Sequence, residues 1–378
     1  MRWLILSCNT GAGHNSCAKA IRDTVLEHGD ECVIEDALRF ISDRASKVIS
    51  GGHVGAYRHT PKLFGKGYSY VERHRKLFEE DTVLYHYFTK ASEGIYELIL
   101  EGQYDAVLCT HPFAALILTD VLKVHKLPVF TAFLATDFTC SPTVEQSDLD
   151  LYFIPDASLT EEFVSYGIPR ERIVASGIPI RKMFFQKTDM EEAKLAFGIP
   201  KEHRHLLMMC GSMGAGPMKK IAAAIAEQLS PEQNLTVVCG TNKKMLGQLS
   251  EQYADTPNVH ILGFVEDMSR LMDSADLYIT KPGGISVTEA SVKALPMVFI
   301  DAVAGCEEYN LRFYLSVGGA VTAKEIPELA ALCAELLTND EKRMKMKDAL
   351  CSLNSLDASS EIYDIIFQEL QKKGTASV

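Results

Sequence analysis

At 378 residues, with 47% hydrophobic and 23% charged side chains, the chain can bury two full cores and is neither disordered nor fibrous. Its 38 basic and 50 acidic residues leave a net charge of −12, which argues against a nucleic-acid binder, whose footprint is a basic patch. Ten cysteines without a Cys-x-x-Cys pair read as small buried hydrophobes in a reducing cytoplasm, so neither a zinc nor a disulfide framework is expected.

The opening Met1–Cys8 is too short an apolar run for a signal peptide, and no stretch is long enough to span a membrane. Short apolar, β-branched runs then alternate with longer amphipathic ones, the pattern of βα units on a parallel sheet. In the first half strands are expected at Arg2–Ser7, Cys32–Asp36, Ala106–Thr110, Pro128–Ala135 and Leu151–Ile154, and helices at His14–Glu27, Phe113–Val124 and Ser158–Tyr166. In the second half the strands are His205–Cys210, Leu235–Cys239, Val259–Leu262, Leu277–Thr280 and Pro296–Ile300. Helices are expected there at Met218–Leu229, Asn242–Gln252, Val265–Ser274, Ser286–Ala294 and Asn310–Val317. The boundary falls within Ile180–Phe197, giving one doubly wound α/β domain over residues 1–185 and a second over 186–358. A last amphipathic helix, Ser359–Lys373 within the segment 359–378, is expected to pack back across the junction.

Ser46 to Lys90 breaks this rhythm with Tyr57, Arg58, His59, Lys62, Phe64, Lys66, Tyr68, Tyr70, Arg73, His74, Arg75 and Lys76. Bases interleaved with rings suit a membrane interface with anionic headgroups. An ordinary insertion is the alternative, and the composition favours neither.

Two glycine signatures stand at predicted strand ends: Thr10-Gly11-Ala12-Gly13-His14, and Lys281-Pro282-Gly283-Gly284-Ile285-Ser286-Val287-Thr288-Glu289. A helix N-terminus offers N–H donors and a positive dipole end, and glycine lets that backbone approach an anion. Cys210-Gly211-Ser212-Met213-Gly214 and Cys239-Gly240-Thr241-Asn242 are further strand-end turns, where open α/β sheets bind ligands. In Gly263-Phe264-Val265-Glu266-Asp267-Met268 a ring and exposed backbone suit a flat base, or else the acidic residues cap a helix. Ser286 and Glu289 share a helix face, which lets the carboxylate accept ribose hydroxyls. Glu307, Glu308 and Asn310 group two carboxylates and an amide able to bind sugar hydroxyls, or else form a solvated acidic loop. His14 can take a proton from a hydroxyl, His111-Pro112 and Thr136-Asp137 end neighbouring strands, and Asp137 can assist a base or simply cap a turn.

Taken in order, Thr10–His14, His111–Phe113, Thr136–Phe138, Gly211–Gly214, Gly263-Phe264, Lys281–Gly284 with Glu289, and Glu307–Asn310 resemble the monogalactosyldiacylglycerol synthase and processive diacylglycerol glucosyltransferase family. The resemblance implies a GT-B fold, two Rossmann-like domains facing a central cleft, with a UDP-sugar donor on the C-terminal domain and a lipid acceptor on the N-terminal one. It implies that the Phe264 backbone holds uracil, Glu289 the ribose, Ser212, Gly283 and Gly284 the diphosphate, and Glu307, Glu308 and Asn310 the hexose. Gly13, Met213, Gly214, Thr241, Val265, Met268 and Ser286 complete the donor-binding set. His14 is then the general base with Asp137 beside it, and His111 and Pro112 lie on the acceptor side.

The activity so implied is inverting transfer of a hexose to a diacylglycerol-like lipid at the cytoplasmic membrane face, with no cofactor and no metal ion, because helix dipoles and backbone donors meet the charge of the leaving UDP. Two departures stand out. Thr139-Cys140-Ser141-Pro142 occupies the place where the family usually carries a histidine and then a tryptophan, and Ala304-Gly305-Cys306-Glu307 replaces Pro-Gly-Gln-Glu. Acceptor, hexose, number of sugars added and oligomeric state are left open. The alternatives are transfer to a soluble or secondary-metabolite hydroxyl, and a GT-B UDP-sugar epimerase.

Overall fold

The computed structural model describes the chain except residues 43, 45, 50, 53–60, 212–215, 301–304, 354–356 and 376–378. Tyr57, Arg58, His59, Ser212, Met213 and Gly214 therefore lie outside the described residues, and of the segment 61–64 only the backbone is described.

The chain forms two α/β units. One comprises Met1–Arg181 with Val303–Cys306 and Leu356–Val378, the other Lys182–Ala302 with Glu307–Ser355. In the first, β1 (Arg2–Ser7), β2 (Glu31–Asp36), β3 (Ala106–Cys109), β4 (Phe130–Leu134), β5 (Leu151–Ile154) and β6 (Ile173–Ala175) form one sheet in the order β2-β1-β3-β4-β5-β6. In the second, β7 (Arg204–Met209), β8 (Gln233–Val238), β9 (Val259–Leu262), β10 (Leu277–Thr280), β11 (Met297–Phe299) and β12 (Ala320–Thr322) run in the order β12-β11-β10-β7-β8-β9. Every pairing is parallel. A parallel sheet needs helices on both faces, which is why β3 and β4 are buried along their whole length and read as continuous apolar runs.

The ten expected strands are all present, with ends shifted by a residue or two. The edge strands β6 and β12 were not anticipated. Each is three residues long and lacks a fully buried run, and Ile173-Val174-Ala175 and Ala320-Val321-Thr322 are too short to be read as strands.

The helices that matter here are α1 (Ala12–Glu27), α2 (Pro61–Arg73), α3 (Val83–Phe88), α4 (Ser92–Gly102), α5 (Pro112–Val124), α6 (Thr160–Ser165), α7 (Met190–Ala196), α8 (Met218–Ala226), α9 (Lys243–Gln252), α10 (Met268–Asp273), α11 (Gly284–Val292), α12 (Cys306–Val317), α13 (Ile326–Thr338), α14 (Asp340–Cys351) and α15 (Ala358–Thr375). The described residues 61–88 of the aromatic and basic stretch include α2, a 3-10 turn at Arg75–Phe78, and α3. Phe78, Tyr85 and Phe88 join the core of the first unit, whereas Val83 is 85% exposed. No helix among the described residues is long and apolar enough to cross a membrane.

The last helix, α15, lies on α1 in the first unit. Tyr363 stacks on Trp3 at 5.5 Å and on His28 at 4.0 Å, and its hydroxyl donates to Asp30 Oδ2 at 2.8 Å. Asp30 Oδ1 accepts from the α-amino group of Met1 at 2.7 Å, so one carboxylate ties both chain ends to the sheet edge.

Candidate active site

In the first unit strand order reverses between β1 and β3. At such a point the connections diverge to opposite faces and leave a crevice outside the carboxyl ends of the strands, where open α/β sheets bind ligands. The turn after β1 delivers α1, preceded by Gly11 in extended conformation without a capping side chain. The turn after β3 delivers α5, whose N-cap is His111 and whose first residue is Pro112. Proline suits that position because the missing N–H has no helical partner there.

His14 stands in the first turn of α1, half-buried, with Nδ1 2.7 Å from the Thr110 carbonyl oxygen. A carbonyl oxygen only accepts, so Nδ1 carries the proton and Nε2 is the basic nitrogen of the neutral ring. The Thr136 hydroxyl, from the end of β4, lies 3.0 Å from the same Nδ1 and shares that proton. The His14 and His111 rings are 4.5 Å apart and inclined at 60°. His111 Nδ1 accepts from the Phe113 N–H at 3.1 Å, which caps α5 and fixes the ring.

The glycine turn itself is held from the other side. Ser7 Oγ and Asn15 Oδ1 are 2.8 Å apart, Asn15 Nδ2 donates to Asn9 Oδ1, Asn9 Nδ2 donates to Asp36 Oδ2, and Ser46 Oγ donates to the same Asp36 oxygen. Asp137, half-buried just beyond β4, lies near Tyr68 of α2, whose phenol burial pushes well above its usual range.

In the second unit the order reverses between β7 and β10. From β10, Lys281-Pro282-Gly283 leads into α11 with Gly283 as an N-cap that carries no side chain. Gly216, at the end of the β7 turn, has φ +98°, and a Cβ there would sit 3.3 Å from Lys281 Cε and 4.0 Å from Nζ. Only glycine combines that backbone with so close an approach. Lys281 is buried, and both it and Glu307 act electrostatically on Cys210, whose thiol burial pushes up to about 12. Glu289 is 7% exposed and Ser286 half-buried, three residues apart on α11 as the spacing predicts.

Glu307, Glu308 and Asn310 do not form a loop. They occupy the first turns of α12, which begins at Cys306, four residues before the expected start. The acidic first turn suits a helix N-terminus. Asn310 is fully buried and its Nδ2 donates to the Pro282 carbonyl at 2.9 Å, so it ties α12 to the glycine turn. Glu307 Oε1 would lie 4.0 Å from a Cβ placed on Gly283. Glu308 faces outward, 3.6 Å from Arg312 one turn on.

At the ends of β8 and β9, Thr241 is exposed, and Phe264 is 68% exposed. The helix expected from Val265 begins at Met268, because Asp267 caps it by accepting from the Arg270 N–H at 3.0 Å. That leaves Gly263–Glu266 as open turn, with Val265 half-buried and Met268 packed inward. Three inter-strand steps, roughly 14 Å, separate β9 from β10.

The structure therefore brings His14, His111 and Pro112 together with Gly13 and Thr136 in the first unit. In the second it groups Gly283, Gly284, Ser286, Glu289, Glu307 and Asn310 around the β10 turn. The Thr110 carbonyl, the Thr136 hydroxyl and Lys281 received no role from the sequence. A backbone carbonyl leaves no residue signature at all, while Lys281 stood in plain view within its motif. Among the described residues no group of three His, Cys, Asp or Glu side chains is arranged to hold a metal ion.

Residues 14–180 match the family model for monogalactosyldiacylglycerol (MGDG) synthase, and residues 217–350 match that for glycosyl transferases group 1. The processive diacylglycerol beta-glucosyltransferase of Bacillus cytotoxicus is 28% identical over 371 residues, covering 97% of this chain and 93% of the relative. Among solved structures, MurG of Acinetobacter baumannii superposes with a TM-score of 0.66 at 15% identity, covering 97% of this chain and 99% of its own. UDP-GlcNAc 2-epimerase from Neisseria meningitidis, bound to UDP-GlcNAc, gives 0.62 at 14% identity, covering 97% and 100%. Likeness at that identity shows the fold alone, two Rossmann-like units of the GT-B type. With an MGDG synthase model on residues 14–180, a glycosyl transferase model on residues 217–350 and a relative matched over 97% of this chain, the protein is a glycosyltransferase similar to the MGDG synthases and processive diacylglycerol glucosyltransferases.

Proposed function

We propose that this glycosyltransferase moves a hexose from a UDP-sugar to the hydroxyl of a diacylglycerol-type lipid, with inversion at the anomeric carbon. The observation that carries the reading is the His14 ring, oriented by the Thr110 carbonyl at a strand-order reversal so that Nε2 is its basic nitrogen. The acceptor class follows the names of the relatives and of the family model on residues 14–180.

In this scheme His14 Nε2 takes the proton from the acceptor hydroxyl as its oxygen attacks the anomeric carbon. The carbon–oxygen bond to the diphosphate breaks, and its electron pair leaves on the UDP oxygen. That negative charge meets the N-terminus of α11, the Gly283–Gly284 backbone and the Lys281 ammonium. No metal ion is required, since those groups supply the opposing charge. Glu289 accepts from the ribose hydroxyls, the Gly263–Val265 backbone pairs with the uracil edge beside Phe264, and Ser286 and Glu307 complete the donor site. A neighbour bound to UDP-GlcNAc supports this choice of donor class. The exposed bases Lys66, Arg73 and Lys76 on and after α2 are the groups that would meet anionic headgroups in peripheral membrane contact.

The test is a panel of UDP-sugars scored for UDP release and for glycolipid product by mass spectrometry, with and without vesicles containing diacylglycerol. Glycosylated diacylglycerol, formed faster on vesicles with anionic lipid, is the expected result. Conversion of the UDP-sugar with no acceptor present would reassign the protein as an epimerase. UDP release that follows a soluble alcohol rather than the lipid would reassign its acceptor.

A further inference from the structure

The basic segment and the loop behind Asp137 are joined at one point. Arg75 opens the 3-10 turn after α2, and its Nη2 donates to the Cys140 carbonyl at 2.7 Å. Its Nη1 meets Glu145 Oε2 at 3.0 Å, and its guanidinium carbon lies over the Tyr166 ring, 3.8 Å from the centroid. Both partners of the ion pair are nearly buried, with 13% and 11% of their side chains exposed. From below, Glu162 of α6 accepts from the Thr139 hydroxyl at 2.7 Å and the Cys140 N–H at 2.8 Å. One cation and one anion thus hold two consecutive residues of a loop that starts two residues after Asp137.

The loop is also strained. Thr143, fully buried, has φ +82°, a conformation that β-branched residues avoid. Strain of that kind, about 1–3 kcal/mol, persists only where the surroundings over-determine the backbone, and it gathers at functional sites. The Arg75 and Glu162 contacts supply that over-determination. Tyr68 of α2 lies against Ser141 and Asp137 in the same place, so the segment between β2 and β3 touches this loop twice.

We propose that Arg75 is a positioning residue that sets the shape of the 139–145 loop beside Asp137 and thereby selects which acceptor hydroxyl the enzyme accepts. The inference rests on the reading that the first unit holds the acceptor. A guanidinium suits the task because its planar fork bonds two acceptors in fixed directions while its face stacks on a ring; a lysine ammonium reaches one of those partners and does not stack. With its guanidinium engaged by Cys140, Glu145 and Tyr166, the side chain acts through the loop, so its replacement changes acceptor use and leaves donor use alone.

The experiment compares wild type with Arg75→Lys and with Tyr166→Leu, which removes only the stacking partner. KM and kcat are measured for diacylglycerol in vesicles and for UDP-glucose, together with the ranking of a panel comprising diacylglycerol, monoacylglycerol and a long-chain alcohol. For Arg75→Lys the acceptor KM rises several-fold and the panel ranking changes, because the loop loses one of its two ties. Donor KM stays at its wild-type value while Tm falls with the lost intramolecular hydrogen bond, and Tyr166→Leu shows the same selectivity change at smaller size. The proposal is overturned if both variants keep the wild-type acceptor KM and ranking, or if donor KM and acceptor KM rise together as Tm falls. Should wild type fail to glycosylate diacylglycerol, the function proposed above fails in that arm alone. The Arg75 inference is then decided by the same KM comparison on whichever panel acceptor wild type does use.

Discussion

The 2.7 Å contact between His14 Nδ1 and the Thr110 carbonyl oxygen joins the first turn of α1 to the end of β3. It assigns the proton to Nδ1, and it ties the orientation of the ring to the sheet. If Nε2 is the general base, its removal costs turnover and spares the donor site. His14→Ala should lose about 10²- to 10⁴-fold in kcat while binding UDP with unchanged affinity by calorimetry. Wild-type turnover in this variant would sink the assignment.

Thr136 tests how the ring is held. Thr136→Val keeps the shape and removes the hydroxyl that shares the Nδ1 proton, so kcat should fall about three- to tenfold, the value of one neutral hydrogen bond. Thr136→Ser should restore it. Equal rates in all three proteins would show that the carbonyl alone orients the imidazole.

Asn310 separates a structural from a ligand-binding role. Its Nδ2 donates to the buried Pro282 carbonyl at 2.9 Å, so Asn310→Ala leaves that carbonyl without its partner and should cost about 1–3 kcal/mol of stability. Denaturant melts would register this in the absence of any sugar. An unchanged midpoint combined with a raised donor KM would instead favour direct contact with the hexose.

Glu289, nearly buried on α11, is expected to act on the nucleotide alone. Glu289→Gln weakens hydrogen bonds from the ribose by replacing a charged acceptor with a neutral one, and donor KM should rise about tenfold, in line with bonds to charged groups. Acceptor KM should not move, and a parallel rise of both would point to misfolding of the β10 turn.

Acid sensitivity should come from the start of β7, a central strand of the second sheet. Burial lowers the His205 imidazole to about 4, with Ser274 and Thr236 satisfying its two nitrogens in the neutral form. The unfolded chain takes up that proton near 6.5 and the folded one does not, so this stability is fully present above pH 6.5. It is lost as pH falls toward about 4, at about 1.4 kcal/mol per pH unit. Asp276 adds a second loss at lower pH: burial alone would raise it, but Lys194, the His205 N–H and Arg204 outweigh that and hold it below its usual value. A His205→Gln variant should show a flatter stability profile between pH 6.5 and 4 in urea titrations.

Sequence alone specified the βα alternation, ten of the twelve strands among the described residues and the placing of both glycine turns at strand ends, because a buried parallel strand is a continuous apolar run bounded by turn residues. It also placed Ser286 and Glu289 on one face, since helical spacing is a local property. It did not reveal β6 and β12, which are three residues long, nor that the helix expected from Asn310 begins at Cys306 and takes in Glu307 and Glu308, since an acidic first turn looks like a loop. Tertiary structure alone decided strand order, and with it which turns meet at the reversals between β1 and β3 and between β7 and β10. It alone brought the Thr110 carbonyl to His14 and Arg75 to Cys140, separated by 96 and 65 residues. Contacts of that range depend on how sheets pair and pack, which no local pattern of residues encodes.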